Sequence, residues 1–142
     1  MLSFKRMSHS EDLYDVIMSE PPTPIVAIVR DFDRNHKTRL AVELKPTDLL
    51  RIESIENEVR SQFPNFCSAI TGKQLTRINI PTQYGIITLK LKTITDTPLL
   101  PEHIVDDVEC ILTVRPTKLV VKPDKTICTW LCESFVANIK YA

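Results

Sequence analysis

The chain has 142 residues with 18 basic and 18 acidic side chains, ten prolines and only two glycines, Gly72 and Gly85. Two isolated glycines exclude a dinucleotide fingerprint and a phosphate-cradling loop, both of which need clustered glycines to bring backbone against phosphate. A net charge of zero argues against a polybasic partner of duplex DNA, and 43% hydrophobic with 25% charged residues is the composition of one globular domain.

Residues 1–9 read as a loose tail. Ser10, Glu11 and Asp12 read as an N-cap with acidic first-turn residues, and Leu13, Val16 and Ile17 share one helical stripe, so a short helix is predicted over 11–19. Pro21-Pro22-Thr23-Pro24 cannot continue a helix and reads as an extended linker. Residues 1–24 are therefore expected to form an N-terminal arm and residues 25–142 a single β domain. PIVAIVRDF and TRLAVEL, joined by the polar turn Asp33–Lys37, suggest a hairpin. A strong amphipathic helix is predicted over 48–63: Thr47 can cap it, Leu49, Ile52, Ile55 or Glu56, Val59 and Phe63 recur at steps of three and four, and Pro64 ends it. The remainder alternates as strands do: QLTRINI, GIITLKLKTIT, VECILTVR, KLVV and TICTWLCESFVANI, with a turn at Lys122–Lys125 and a proline-bounded loop at TDTPLLPEHIVDD. The predicted class is α+β, mainly β, with six or seven strands in a small barrel or compact antiparallel sheet.

The absence of an apolar run of about 18 residues predicts no membrane span. The polar start predicts a chain that is not secreted, in a reducing intracellular compartment, cytoplasm or nucleus. Cys67, Cys110, Cys128 and Cys132 are expected to be buried thiols. Cys128 and Cys132 fall on one strand face with no second pair of ligands, so no metal and no cofactor is expected.

The zero balance hides unlike halves. Residues 1–66 carry 9 basic and 11 acidic side chains, residues 67–142 carry 9 and 7. Residues 73–92 hold Lys73, Arg77, Lys90 and Lys92 with no acid, and Arg115 and Lys118 follow. Lys90 and Lys92 would share one strand face opposite Leu89 and Leu91. A solvated, aggregation-resistant strand face is the plain explanation; a groove for nucleic acid is the functional one. Tyr84, in a polar turn of the acid-free zone, is the best candidate for base stacking, with Trp130 second and core packing the competing role for Trp130 and Phe135. Phe66, after the Pro64-Asn65 break, is expected near the surface.

The stretch VDDVECILTVRPTKLVVKPDKTICTWLCESFVANI resembles the closing hairpin of OB-fold single-stranded-DNA-binding proteins, especially compact viral and phage ones, over roughly residues 75–139. The resemblance implies an OB-like β domain over 25–142 whose groove tracks a phosphate backbone and stacks bases, lined by Lys73, Arg77, Tyr84, Lys90, Lys92, Arg115, Lys118 and Trp130. That family sets its helix between the third and fourth barrel strands, whereas here the strong helix follows two evident strands. The expected partners are single-stranded nucleic acid, DNA before RNA, and further copies of the chain docked through the N-terminal arm.

Two other classes compete. A metal-dependent nuclease of the PD-(D/E)xK type would use Asp31 or Asp33 with Glu43 and Lys45, which share a strand face; structural pairing of Arg39, Glu43 and Lys45 is the plain alternative. Asp106-Asp107 reads as loop solvation, and His9, His36 and His103 lie in a tail, a turn and a loop with no nucleophile beside them. The chain is thus expected not to be an enzyme. The third class is a structural or oligomeric interaction protein built on the arm.

Overall fold

The structure is a computed structural model and describes residues 1–7, 12–32, 39–84 and 86–139. Two strands open the chain, β1 (Leu2–Arg6) and β2 (Leu13–Met18), followed by β3 (Ile25–Phe32), β4 (Arg39–Leu44) and helix α1 (Pro46–Gln62). Then come two-residue strands β5 (Phe66–Cys67) and β6 (Ile70–Thr71), the longer β7 (Gln74–Asn79), and a small hairpin of β8 (Thr82–Gln83) and β9 (Ile86–Ile87). β10 (Leu91–Thr93), a 3-10 turn at Pro101–His103, β11 (Glu109–Val121) and β12 (Thr126–Ala137) complete the order.

Period-two burial makes these strands a barrel. β3 turns Ile25, Ala27 and Val29 inward, and β12 turns Cys128, Trp130 and Cys132 inward, so each strand has one apolar face to hide. β3 pairs antiparallel with β4, β4 with β7, and β12 with β11, which returns antiparallel to β3; β7 and β12 are parallel. The five strands β3-β4-β7-β12-β11 thus close on themselves into a small OB-like barrel. β11 and β12 form one bent ribbon, with register shifts at Thr113/Val114 and Pro116/Lys118. Such bulges add twist and let one strand serve several neighbours: β11 pairs with β3 near Glu109–Leu112 and with β2 near Lys118–Val120.

The helix forms as expected, between the second and third barrel strands, but its start differs. Pro46 occupies the first turn, Lys45 is the N-cap without a side-chain hydrogen bond, and Thr47 lies inside the helix rather than capping it. Proline at the first position lacks an N–H that would be orphaned anyway. Ile52 and Val59 are buried, and so is Glu56 on the same stripe. Its carboxylate accepts Ser68 Oγ at 2.6 Å and the Ala69 backbone N–H at 2.8 Å, tying the helix to the chain between β5 and β6. Glu56→Ala should leave the buried Ala69 N–H without an acceptor and cost about 2–3 kcal/mol. Glu56→Gln, which keeps one acceptor oxygen, should cost less than half as much, both read by urea unfolding.

Three expectations are corrected. Residues 13–18 of the predicted 11–19 helix are strand β2, and residues 2–6 of the predicted tail are its partner β1, in the register Leu2↔Met18 to Arg6↔Tyr14. Tertiary packing decides this: Leu2 and Val16 are buried, and Phe4 and Tyr14 set their rings edge-on to Phe63 of the helix terminus at 5.3 and 5.5 Å. β2 then pairs with β11, so the hairpin extends the barrel's own sheet. Second, GIITLKLKTIT is broken, with β9 and β10 separated by residues 88–90; Lys90 is outside any strand and does not share a strand face with Lys92. Third, VECILTVR and KLVV are one strand running through Pro116. The turn at Lys122–Lys125 stands, closed by Lys122 N–H to the Lys125 carbonyl at 2.8 Å.

Candidate nucleic-acid interface

Register assembles an outward row that no single segment contains. Arg39 of β4 pairs with Asn79 of β7, Asn79 with Leu131 of β12, and Leu131 with Arg115 of β11. Each is flanked in its strand by inward residues (Leu40, Ile78, Trp130 and Cys132, Val114 and Pro116), so all four face solvent on the barrel wall. Three interstrand steps make the row about 14 Å long, room for two or three extended nucleotides. Its ends are guanidiniums and its centre is an amide beside an aliphatic side chain. That is a surface able to neutralise phosphates at its ends and lay a base on its middle. Arg39 has no ionic partner among the described residues, whereas Glu133 takes the Nε edge of Arg115. Beside the Arg115 end, Thr113 and Ser134 join their hydroxyls at 2.8 Å.

The chain leaves this row directly into the β8–β9 hairpin, whose register is Thr82↔Ile87 and Gln83↔Ile86. Tyr84 at its tip is 94% exposed and Ile86 71% exposed. Tyr84 also has a φ of 53°, a left-handed conformation uncommon for a bulky residue. An aromatic ring held in solvent on a strained tip, three residues past Ile80–Pro81, suits stacking rather than packing.

The other expected site residues are dispersed. Lys73 is exposed in the turn before β7, Lys90 is exposed ahead of β10, and Lys118 is exposed on β11 opposite Asp15. Lys92 pairs with Asp96 at 3.3 Å. Arg77 donates through Nη2 to the carbonyls of Cys67, at 3.3 Å, and Ser68, so its charge braces the β5–β6 connection. The basic residues of the expected groove, Arg77, Lys90, Lys92 and Arg115 among them, therefore do not form one surface. Trp130 is corrected outright: at 1% exposure it belongs to the barrel core with Phe135, and its indole N–H has no hydrogen-bond partner among the described residues. It cannot stack on a ligand. Phe66 is half-buried under the Arg60 guanidinium, 5.4 Å from its ring centre. Arg39, Asn79 and Leu131 were not expected at the site, because only the pairing register brings them together.

Of the nuclease pattern, Glu43 has an ionic partner elsewhere. Glu43 pairs at 3.2 Å with Arg30, which also binds Asp107, so Arg30 rather than Arg39 or Lys45 is its partner. These carboxylates push the Arg30 pKa up, Glu43 most strongly. Asp33, His9 and His36 lie outside the described residues. His103 Nδ1 accepts the Leu100 backbone N–H at 3.2 Å. Among the described residues no group of three or more His, Cys, Asp and Glu side chains is placed to hold a metal ion, and no described helix is long and apolar enough to cross a membrane.

Cys110, Cys128 and Cys132 are buried and Cys67 is exposed. Burial pushes each of the three buried thiols up to about 12. A thiol-specific disulfide reagent should therefore titrate one cysteine rapidly in native protein and four after denaturation. A folded pKa above the unfolded one means this contribution to stability is full below the unfolded thiol value near 8.5 and is lost as pH rises toward 12. The melting temperature should fall steadily through that window.

The fold and this wall define a class, a closed five-stranded OB-like barrel with a small external hairpin. No protein-family model, curated protein or solved structure matches the chain.

Proposed function

We propose that this protein binds single-stranded nucleic acid without catalysis, across the outward row Arg39–Asn79–Leu131–Arg115, with Tyr84 stacking a base beside it. The observation that carries the reading is this row: two guanidiniums about 14 Å apart on one barrel wall, adjoining a ring that is 94% exposed. Aromatic stacking and backbone neutralisation tolerate any sequence, so weak sequence preference follows. The likeness of the closing ribbon to compact viral and phage single-stranded-DNA-binding proteins supports DNA as the first ligand to test. Lys73, Lys90 and Lys118 add long-range attraction rather than contacts.

Fluorescence anisotropy with labelled oligo-dT and oligo-U decides the matter. The expected result is binding at low ionic strength that weakens linearly on a log–log plot as salt rises. Absence of salt-sensitive binding to either oligonucleotide would sink the proposal.

A further inference from the structure

The β1–β2 hairpin sits on a seat of its own at the end of a distinct tether, and neither is part of the nucleic-acid reading. Ser19 N–H and Oγ both donate to the Met1 carbonyl at 3.1 Å, so the hairpin closes on itself ahead of Pro21. Its seat is a separate small core, in which Leu2 and Val16 are buried with Val59 of α1, Leu119 of β11 and Cys128 of β12. The buried residues of the barrel core include none from the hairpin. One short seam joins β2 to β11, with Asp15↔Lys118, Tyr14↔Leu119 and Leu13↔Val120. The tether is Pro21-Pro22-Thr23-Pro24. Among the described residues no hydrogen bond or ion pair holds these four. A hollow of about 240 Å³, lined by Met18, Pro21, Pro22, Ile52 and Ile55, lies between the tether and α1.

We propose that two copies of the chain exchange this hairpin, each seating β1–β2 on the α1–β11 surface of the other. The occupant follows from the seat itself, because every contact that holds the hairpin in its own chain is offered, residue for residue, by a second copy. The closed and exchanged forms therefore differ only in the tether and in the freedom lost on pairing. A flexible tether would keep the hairpin over its own seat at an effective concentration in the millimolar range, and closure would win. Three prolines in four residues remove that flexibility. Each fixes its φ, and the residue ahead of each is pushed to extended backbone. A stiff extended tether that is not bonded to the helix beneath it favours reaching out to a neighbour over folding back. Lifting the hairpin bares Val59, Leu119 and Cys128, each at most 1% exposed, so no seat stays empty and the exchange is reciprocal. The expected assembly through the N-terminal arm thus takes the form of a swapped hairpin rather than a docked helix.

The seam supplies the test. Val121 N–H donates to the Asp12 carbonyl at 2.8 Å, so alternation makes Asp15 and Lys118 a non-hydrogen-bonded pair. Cα atoms in such a pair are about 4.5 Å apart, within reach of a disulfide. Asp15→Cys with Lys118→Cys, in a chain that also carries Cys67→Ser to remove the exposed thiol, is refolded at micromolar to millimolar concentrations. It is then oxidised and run on a non-reducing gel. The expected result is a covalent dimer whose share grows with the refolding concentration. A disulfide within single chains at every concentration overturns the proposal. Sedimentation of unsubstituted protein refolded in the same way should show the same dimer, and a monomer throughout also overturns it. A glycine–serine insertion that doubles the tether should raise the concentration of half-exchange by about tenfold or more. A dimer that ignores the insertion is held by some other surface, and the exchange is then wrong.

Discussion

Trp130→Ala is expected to lower the unfolding free energy by about 3–5 kcal/mol. The side chain is 1% exposed and lies opposite Pro116 and Ile78, where β11, β12 and β7 meet. Truncation removes packing from three strands at once, and closed strands cannot move in to refill the space. The indole N–H makes the substitution series informative, because it is buried with no acceptor among the described residues. Trp130→Phe loses ring volume but also removes that unsatisfied donor, whose burial costs about 1–3 kcal/mol. The phenylalanine variant should therefore lose less than half of what the alanine variant loses. Urea unfolding followed by far-ultraviolet circular dichroism is the proper measurement, because Trp130 is the chain's one tryptophan. An alanine variant with the wild-type midpoint would mean that the ring is not inside the barrel.

Tyr84→Ala is expected to weaken oligonucleotide binding by about 1–3 kcal/mol, roughly 5- to 150-fold, with no change in the salt dependence. The ring has no packing role to lose, so folding should be unaffected. Tyr84→Phe should retain nearly all the affinity, because stacking uses the face of the ring rather than its hydroxyl. Arg39→Ala should behave in the opposite way, losing less affinity in high salt and reducing the log–log salt slope by about 0.7, the value for one phosphate on a single strand. Arg77→Ala serves as the contrast. Its guanidinium braces the carbonyls of Cys67 and Ser68, so stability should drop while the slope stays. Equal effects of Arg39→Ala and Arg77→Ala on the slope would refute the row as the phosphate-binding surface.

The strands that close the barrel were legible where period two had no rival. TICTWLCESFVA alternates cleanly, and the KPDK turn and the β3–β4 hairpin follow from flanking turn residues. The segment Leu13–Met18 shows how such reading fails. Leu13, Val16 and Ile17 fit a helical stripe, while Tyr14, Val16 and Met18 fit a strand face, and over six residues the two periods cannot be separated. Pairing with β1 and β11 settles it, and both partners lie elsewhere in the sequence. Pro116 concealed the continuity of β11, because a proline inside a run reads as a break unless a bulge absorbs it.

The candidate site was legible only in part, for a related reason. Tyr84 stood out because its neighbours are polar and nothing apolar recurs around it. Arg39, Asn79, Leu131 and Arg115 come from four strands spread over 93 positions, so no window of sequence contains them. The charges misled in the opposite direction. Arg77 and Lys92 look available in sequence, yet each meets an acceptor set by tertiary structure: the carbonyls of Cys67 and Ser68 for Arg77, and Asp96 for Lys92. Trp130 was ambiguous because strand alternation places it on the face of Cys128 and Cys132 without saying which face is inward.

The β11–β12 ribbon also dictates an order of events on the ribosome. β3 and β4 can meet as soon as both have emerged, but β7 finds its parallel neighbour in β12, and β2 its strand partner in the barrel in β11, both of them made later. Until residues 109–137 leave the exit tunnel, more than a hundred residues hold unsealed sheet edges and an incomplete apolar core. The nascent chain therefore gains its protection late, and a stall before β11 and β12 are complete leaves the strands made before them unsealed.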